Sequence, residues 1–70
     1  MRIEWVDGFR IKVETDTDNA FIISANREGL LSLAKQLTVL ANEKVGCHIH
    51  YDDYNSLEEG SMEMIIVKGW

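Results

Sequence analysis

Two histidines and a run of carboxylates carry the chemistry this chain could do. His48 and His50 are two residues apart, and Asp52 and Asp53 follow them within the stretch GCHIHYDDYN, residues 46–55. Side chains alternate along a strand, so His48, His50 and Asp52 share one side while Cys47, Ile49 and Tyr51 share the other. Same-side neighbours lie about 6.6 Å apart. Two imidazoles can close on one zinc ion across that gap, at about 2.0–2.1 Å from each nitrogen. Asp52 stands about 13 Å from His48 on a straight strand, too far to join them. A third ligand would have to come from a neighbouring strand or chain, such as Glu63. No Cys-x-x-Cys or His-Glu-x-x-His accompanies the pair. The expectation is therefore no metal and no cofactor, with a small metal-binding accessory protein using His48 and His50 as the rival reading.

Catalysis is a poorer fit. General acid–base work needs a base near a nucleophile in a concave site. The only cysteine, Cys47, points away from both histidines. The five glycines are scattered singly, so no phosphate-cradling loop is present. The chain is expected not to be an enzyme. A pH switch is a further expectation, since an unperturbed imidazole changes charge near about 6.5 and neighbouring Asp52 and Asp53 would favour the protonated form. Otherwise they are polar residues of a half-buried strand or contacts for a partner. Beyond them, Asp52, Asp53, Tyr54, Glu58 and Glu59 surround one aromatic ring with negative charge. Such a loop is either a solvated turn or a dock for a basic protein, where charge steers association and tyrosine anchors it.

These side chains need a scaffold. Asp7-Gly8 suits a type I′ hairpin turn between arms at 2–6 and 9–15. Phe9, Ile11 and Val13 alternate with Arg10, Lys12 and Glu14, the pattern of a half-buried strand. Thr15–Asn19 is a polar turn, and AFIISA (residues 20–25) reads as a strand buried on both faces. Asn26 is a good N-cap for a helix over 27–44 whose stripe is Leu30, Leu33, Ala34, Leu37, Leu40 and Ala41. Gly29 in its first turn costs up to about 1 kcal/mol against alanine, which close approach to a sheet would explain. Residues 47–51 and 62–68 read as two further strands. Between them Ser56 and Glu59 have capping-box spacing, so Leu57–Glu59 is expected to make a short helical turn. The expected fold is α+β: one mainly antiparallel sheet of about five strands, in the order β-β-β-α-β-β, with one helix on one face. The other face would stay partly apolar and uncovered, which points to a homodimer or a binding platform.

Seventy residues allow one domain, 1–70, with a small core. One cysteine excludes a disulfide within the chain. A net charge of −5 excludes nucleic acid as a partner, since phosphate binding needs clustered Lys and Arg. No apolar run approaches the roughly 20 residues that span a bilayer, and charges at Arg2, Glu4 and Asp7 break any signal-peptide core. A cytoplasmic location is expected.

The motifs together resemble a family of small bacterial immunity proteins of polymorphic toxin systems. The matching residues are Asn26, Gly29 and Leu30 at the helix start. They continue with Gly46, His48, His50 and Asp52 on the strand, then Leu57 through Ser61 (Leu-Glu-Glu-Gly-Ser) before the last strand. The resemblance runs over about residues 22–68. It implies a protein that binds and neutralises a cognate toxin by stoichiometric occlusion, with no catalysis and no cofactor. Under this reading His48, His50, Asp52, Asp53, Tyr54, Glu58 and Glu59 form the contact region, and the toxin is a basic protein. A homodimeric structural module with no toxin partner is the further alternative.

Overall fold

Alternation of Ile11 and Val13 with Lys12 and Glu14 produces strand β1 (Ile11–Thr15) of the computed structural model, which describes residues 1–70. β1 pairs antiparallel with β2 (Phe21–Ala25), in a register that sets Ile11 opposite Ala25, Val13 opposite Ile23 and Thr15 opposite Phe21. Asp16 builds the turn between them: its Oδ1 accepts the N–H groups of Asp18 and Ala20, both at 2.8 Å. Asn19 takes the left-handed conformation there (φ 63°), which asparagine tolerates.

Helix α1 (Arg27–Ala41) starts at the expected cap. Asn26 Oδ1 accepts the N–H of Gly29 at 2.8 Å and that of Arg10 at 2.9 Å. The Asn26 backbone N–H donates to Arg10 O at 3.1 Å, and its Nδ2 to Gly8 O at 2.9 Å. One residue thus caps the helix and fastens it to the chain entering β1. The helix ends at Ala41, three residues earlier than expected, with no basic residue in its last turn. Lys68 supplies the cation from the far end of the chain, donating to the carbonyls of Ala41 (2.9 Å) and Glu43 (2.7 Å). Strands β3 (His48–Tyr51) and β4 (Met64–Val67) then pair antiparallel, with His48 opposite Val67 and His50 opposite Ile65.

The fold is α+β, but the single five-stranded sheet is not formed. There are four strands in two separate two-stranded sheets, β1–β2 and β3–β4. One reason lies at Asp7-Gly8. Phe9 N–H bonds to Val6 O at 3.1 Å, but only Gly8 has positive φ (86°). That is the pattern of a type II turn, whose twist splays the arms instead of pairing them. Residues 2–6 therefore run beside α1: Val6 N–H donates to Ser32 Oγ and Gln36 Nε2 donates to Glu4 O, each at 2.8 Å. The second reason is that a loop occupies the outer edge of β1. Glu58 N–H donates to Ile11 O and Met62 N–H to Val13 O, both at 2.8 Å, while Ser61 Oγ accepts from Val13 N–H at 3.1 Å. The helix-free face expected to carry a homodimer is therefore divided into two outer faces.

The core is one cluster of Ile11, Val13, Leu33, Leu40, Ile49, Tyr51, Leu57 and Met64. The helix meets it by a face that shares only Leu33 and Leu40 with the expected stripe. Gly29, Ser32, Leu33, Gln36 and Leu40 are buried, whereas Leu30 is 55% and Leu37 41% exposed. Burying Ser32 and Gln36 costs little because each of their side-chain polar atoms has a partner. Ser32 Oγ donates to Glu28 O while accepting from Val6, and Gln36 Oε1 accepts the Tyr51 hydroxyl at 2.7 Å. β2 likewise is not buried on both faces, since Phe21 and Ile23 are exposed. Leu57–Glu59 makes no helical turn: Ser56 Oγ bonds back to Asp52 O at 3.4 Å instead.

Candidate functional site

Strand alternation places the histidines. Ile49 and Tyr51 enter the core, so His48 and His50 face outward and are exposed. Cys47 packs partly buried against the core side. The two imidazoles meet edge to face, with centroids 5.6 Å apart. His48 Nδ1 lies 3.2 Å from Gly46 O, and His50 Nε2 lies 3.7 Å from Glu63 Oε1. Their cross-strand neighbours are Val67 and Ile65, each about half exposed. The outer face of β3–β4 is thus two imidazoles set on two aliphatic side chains, edged by one carboxylate. No three His, Cys, Asp or Glu side chains converge into a group that would hold a metal ion.

The acidic loop is not one patch. Asp52 is spent on shaping the turn: its Oδ1 accepts the N–H groups of Tyr54 (3.0 Å) and Asn55 (3.2 Å), and its carbonyl accepts those of Ser56 (3.2 Å) and Leu57 (2.8 Å). That turn pushes Tyr54 into solvent, 95% exposed, with Asp53 exposed beside it. Glu58 turns away and pairs with Arg10 Nε, which raises the Arg10 pKa above its ordinary value. The Glu59 carbonyl receives Lys12 Nζ at 3.0 Å, while its side chain stays exposed. Of the seven expected contact residues, His48, His50, Asp53 and Tyr54 therefore stand on the β3 side. Glu58 and Glu59 stand against β1, and Asp52 holds the loop between.

A cleft of about 320 Å³ adjoins the histidines. His48, His50, Asn55 and Ser56 form one wall, and Ile3 and Trp5 of the N-terminal segment form another. Trp5 is fixed there by stacking on Phe9 at 4.2 Å and by edge contact with Tyr51 at 6.1 Å. Lys68 N–H donates to Cys47 O at 2.9 Å, so Cys47 and Lys68 occupy a hydrogen-bonded position of the β3–β4 ladder. Alternation then turns the backbone groups of His48 and His50 toward the free edge of β3, beside this cleft. Sequence reasoning missed the N-terminal wall. Ile65 and Val67 were legible as apolar residues on the same side of their strand as Glu63, though not among the expected contact residues.

A family model described as Immunity protein 32 matches residues 21–69, well over half of the chain, so the chain belongs to that family. The match takes in β2, α1, both histidines, the loop and β4. No curated protein and no solved structure matches the chain. No helix is long and apolar enough to cross a membrane.

Proposed function

With membership of the Immunity protein 32 family as the premise, we propose that the chain binds a cognate toxin domain and neutralises it by one-to-one occlusion, with no chemistry of its own. The contact surface in this reading is the outer face of β3–β4 with the loop tip: His48, His50, Asp53, Tyr54, Ile65 and Val67. Asp52 holds the tip in place and Glu63 edges the face, while Glu58, paired with Arg10, and Glu59 lie apart on the β1 side. The observation that carries the reading is that the family match spans every residue of this surface. Its make-up supports it further, because an exposed tyrosine, half-exposed aliphatic residues and a carboxylate at the edge suit a protein contact. The net charge of −5 favours a basic toxin and a fast, salt-sensitive association. The same reading has the protein act in the cytoplasm of the producing cell.

The test is binding of purified chain to its cognate toxin, with toxin activity as the second readout. Tyr54→Ala should weaken binding by at least about 2 kcal/mol if the ring is an anchor. Replacing Asp53 and Glu59 together by lysine should lower the association rate and its salt dependence. Unchanged protection by both variants would contradict the surface.

A further inference from the structure

We propose that β2 and the adjoining flank of α1 form a twofold interface between two copies of this chain. The starting observation is an edge that nothing covers. Hydrogen bonds from Asn26 N–H to Arg10 O (3.1 Å) and from Asp16 N–H to Ala20 O (3.0 Å) frame the β1–β2 ladder. Lys12 and Ser24, and Glu14 and Ile22, are then the hydrogen-bonded pairs between them. The intervening residues turn their backbone groups outward. On β1 those are Ile11 and Val13, which bond the loop at residues 58–62. On β2 they are Phe21, Ile23 and Ala25, and no backbone or side-chain group bonds them from that side. Open edges are ordinarily blunted by charge, proline or a covering segment, yet AFIISA carries no charge and no proline.

The side chains above this edge are equally unspent. Phe21 is 53% and Ile23 40% exposed, although both lie on the face that Ile11 and Val13 bury. On α1, Leu30, Ala34, Leu37 and Ala41 are all exposed. Their spacings of four, three and four residues make a coiled-coil-like seam that the chain's own core does not use.

The surface is complementary to itself. Antiparallel pairing about a twofold axis at Ile23 sets Ile23 opposite Ile23 and Phe21 opposite Ala25 of the second copy. All three positions present outward backbone groups, so every pair can exchange both hydrogen bonds. Antiparallel seams likewise set Leu30 opposite Ala41 and Leu37 opposite Ala34, large against small each time. The two pairings lie close together: Gly29 abuts Ala25, two places along β2 from Ile23, and the seam begins at the next helix residue, Leu30. Two helices each riding a hairpin would stand about two strand spacings apart, roughly 9.6 Å, within the 8–10 Å of packed helices. Charge is compatible with the same occupant. Two copies of net charge −5 meet with least repulsion where carboxylates are absent, and neither β2 nor the seam carries one. A basic partner would be drawn elsewhere. The outer face of β3–β4 stays free in this dimer, so the inference stands apart from the toxin-binding reading.

The test is the mass of the full chain by light scattering or sedimentation, expected to be that of two chains. Ile23→Lys opposes two lysines on the axis, and Leu37→Glu places a carboxylate in the seam. Each should give a folded monomer at concentrations where the parent is dimeric. A cross-link decides the matter even if those variants misfold. In a Cys47→Ser background, Ile23→Cys sets two thiols on Cα atoms about 5.5 Å apart, within disulfide reach, and should oxidise to a covalent dimer. Tyr54→Cys in the same background should not. The inference is overturned if the parent is monomeric, if its dimer survives both substitutions, or if Tyr54→Cys cross-links and Ile23→Cys does not. Protection of the β2 edge from hydrogen exchange only upon adding toxin would overturn it equally.

Discussion

Gly29→Ala should destabilise the protein, although alanine is the better helix former. A Cβ built at Gly29 would stand 2.6 Å from Arg10 O, 2.9 Å from Ile11 Cγ1 and 3.1 Å from Ala25 Cβ. The first of these is backbone and cannot rotate away. Arg10 O also accepts from Asn26 N–H, while Arg10 N–H donates to Asn26 Oδ1, so the clash falls on the junction that joins α1 to β1. Relief requires the helix start to lift off the strand by several tenths of an ångström. Overpacking of this kind costs about 1–3 kcal/mol, and loosening the two hydrogen bonds adds up to about 1 kcal/mol more. The helix gains up to about 1 kcal/mol from alanine. The net expectation is a loss of about 1–3 kcal/mol, a large share of the roughly 4–10 kcal/mol available to a chain of this size. Urea unfolding followed by helical circular dichroism should show a lower midpoint with unchanged slope. The melting temperature should fall by at least about 4 °C. Protein concentration must be matched, because a dimer melts in a concentration-dependent way. Gly69→Ala, which meets nothing within 4 Å, is the neutral control. A Gly29→Ala variant as stable as the parent, or more so, would refute the close-approach argument.

Three further outcomes follow from the same contacts. Tyr51→Phe leaves Gln36 Oε1 buried without its donor and should cost about 1–3 kcal/mol in urea unfolding. Burial also lifts the Tyr51 hydroxyl above its ordinary value of 10.0. The folded chain therefore holds that proton more tightly than the unfolded chain. The corresponding stability is present below about pH 10 and is lost as pH rises through the folded value. A urea series from neutral pH upward should show this alkaline loss shrink in Tyr51→Phe. Asn26→Ala removes the acceptor for both Gly29 N–H and Arg10 N–H and should cost about 2 kcal/mol, read as a lower melting temperature.

The local elements were legible because they rest on local physics. Alternation found β1 and β3, apolar runs found β2 and β4, and the Asn26 cap with the leucine and alanine spacing bracketed the helix to within three residues. The assembly of those elements was not. A helical wheel assigns Leu30, Ala34 and Leu37 to the core, because no wheel shows that Ser32 and Gln36 will find partners at Val6, Glu4 and Tyr51. Those partners lie 26, 32 and 15 residues away, and they make polar burial affordable. The fifth strand failed on two counts: with Asp7 at negative φ, Asp-Gly makes a turn but no ladder, and residues 58–62 take the edge of β1 it would have paired with. At the site, period-two reasoning put His48 and His50 on one side and Cys47 on the other. The acidic loop was misjudged as a unit because the cation that draws Glu58 away, Arg10, lies 48 residues earlier.

The central claim is that the outer face of β3–β4 is where a toxin is held. Titration of the purified chain against its cognate toxin domain, comparing the parent with the double variant Tyr54→Ala, Ile65→Asp, tests it most directly. Both positions are exposed, so the variant should fold as the parent does. The account predicts one toxin bound per chain, and binding weakened at least about a hundredfold in the variant, with protection lost in parallel. Undiminished affinity and protection in a folded double variant would contradict it.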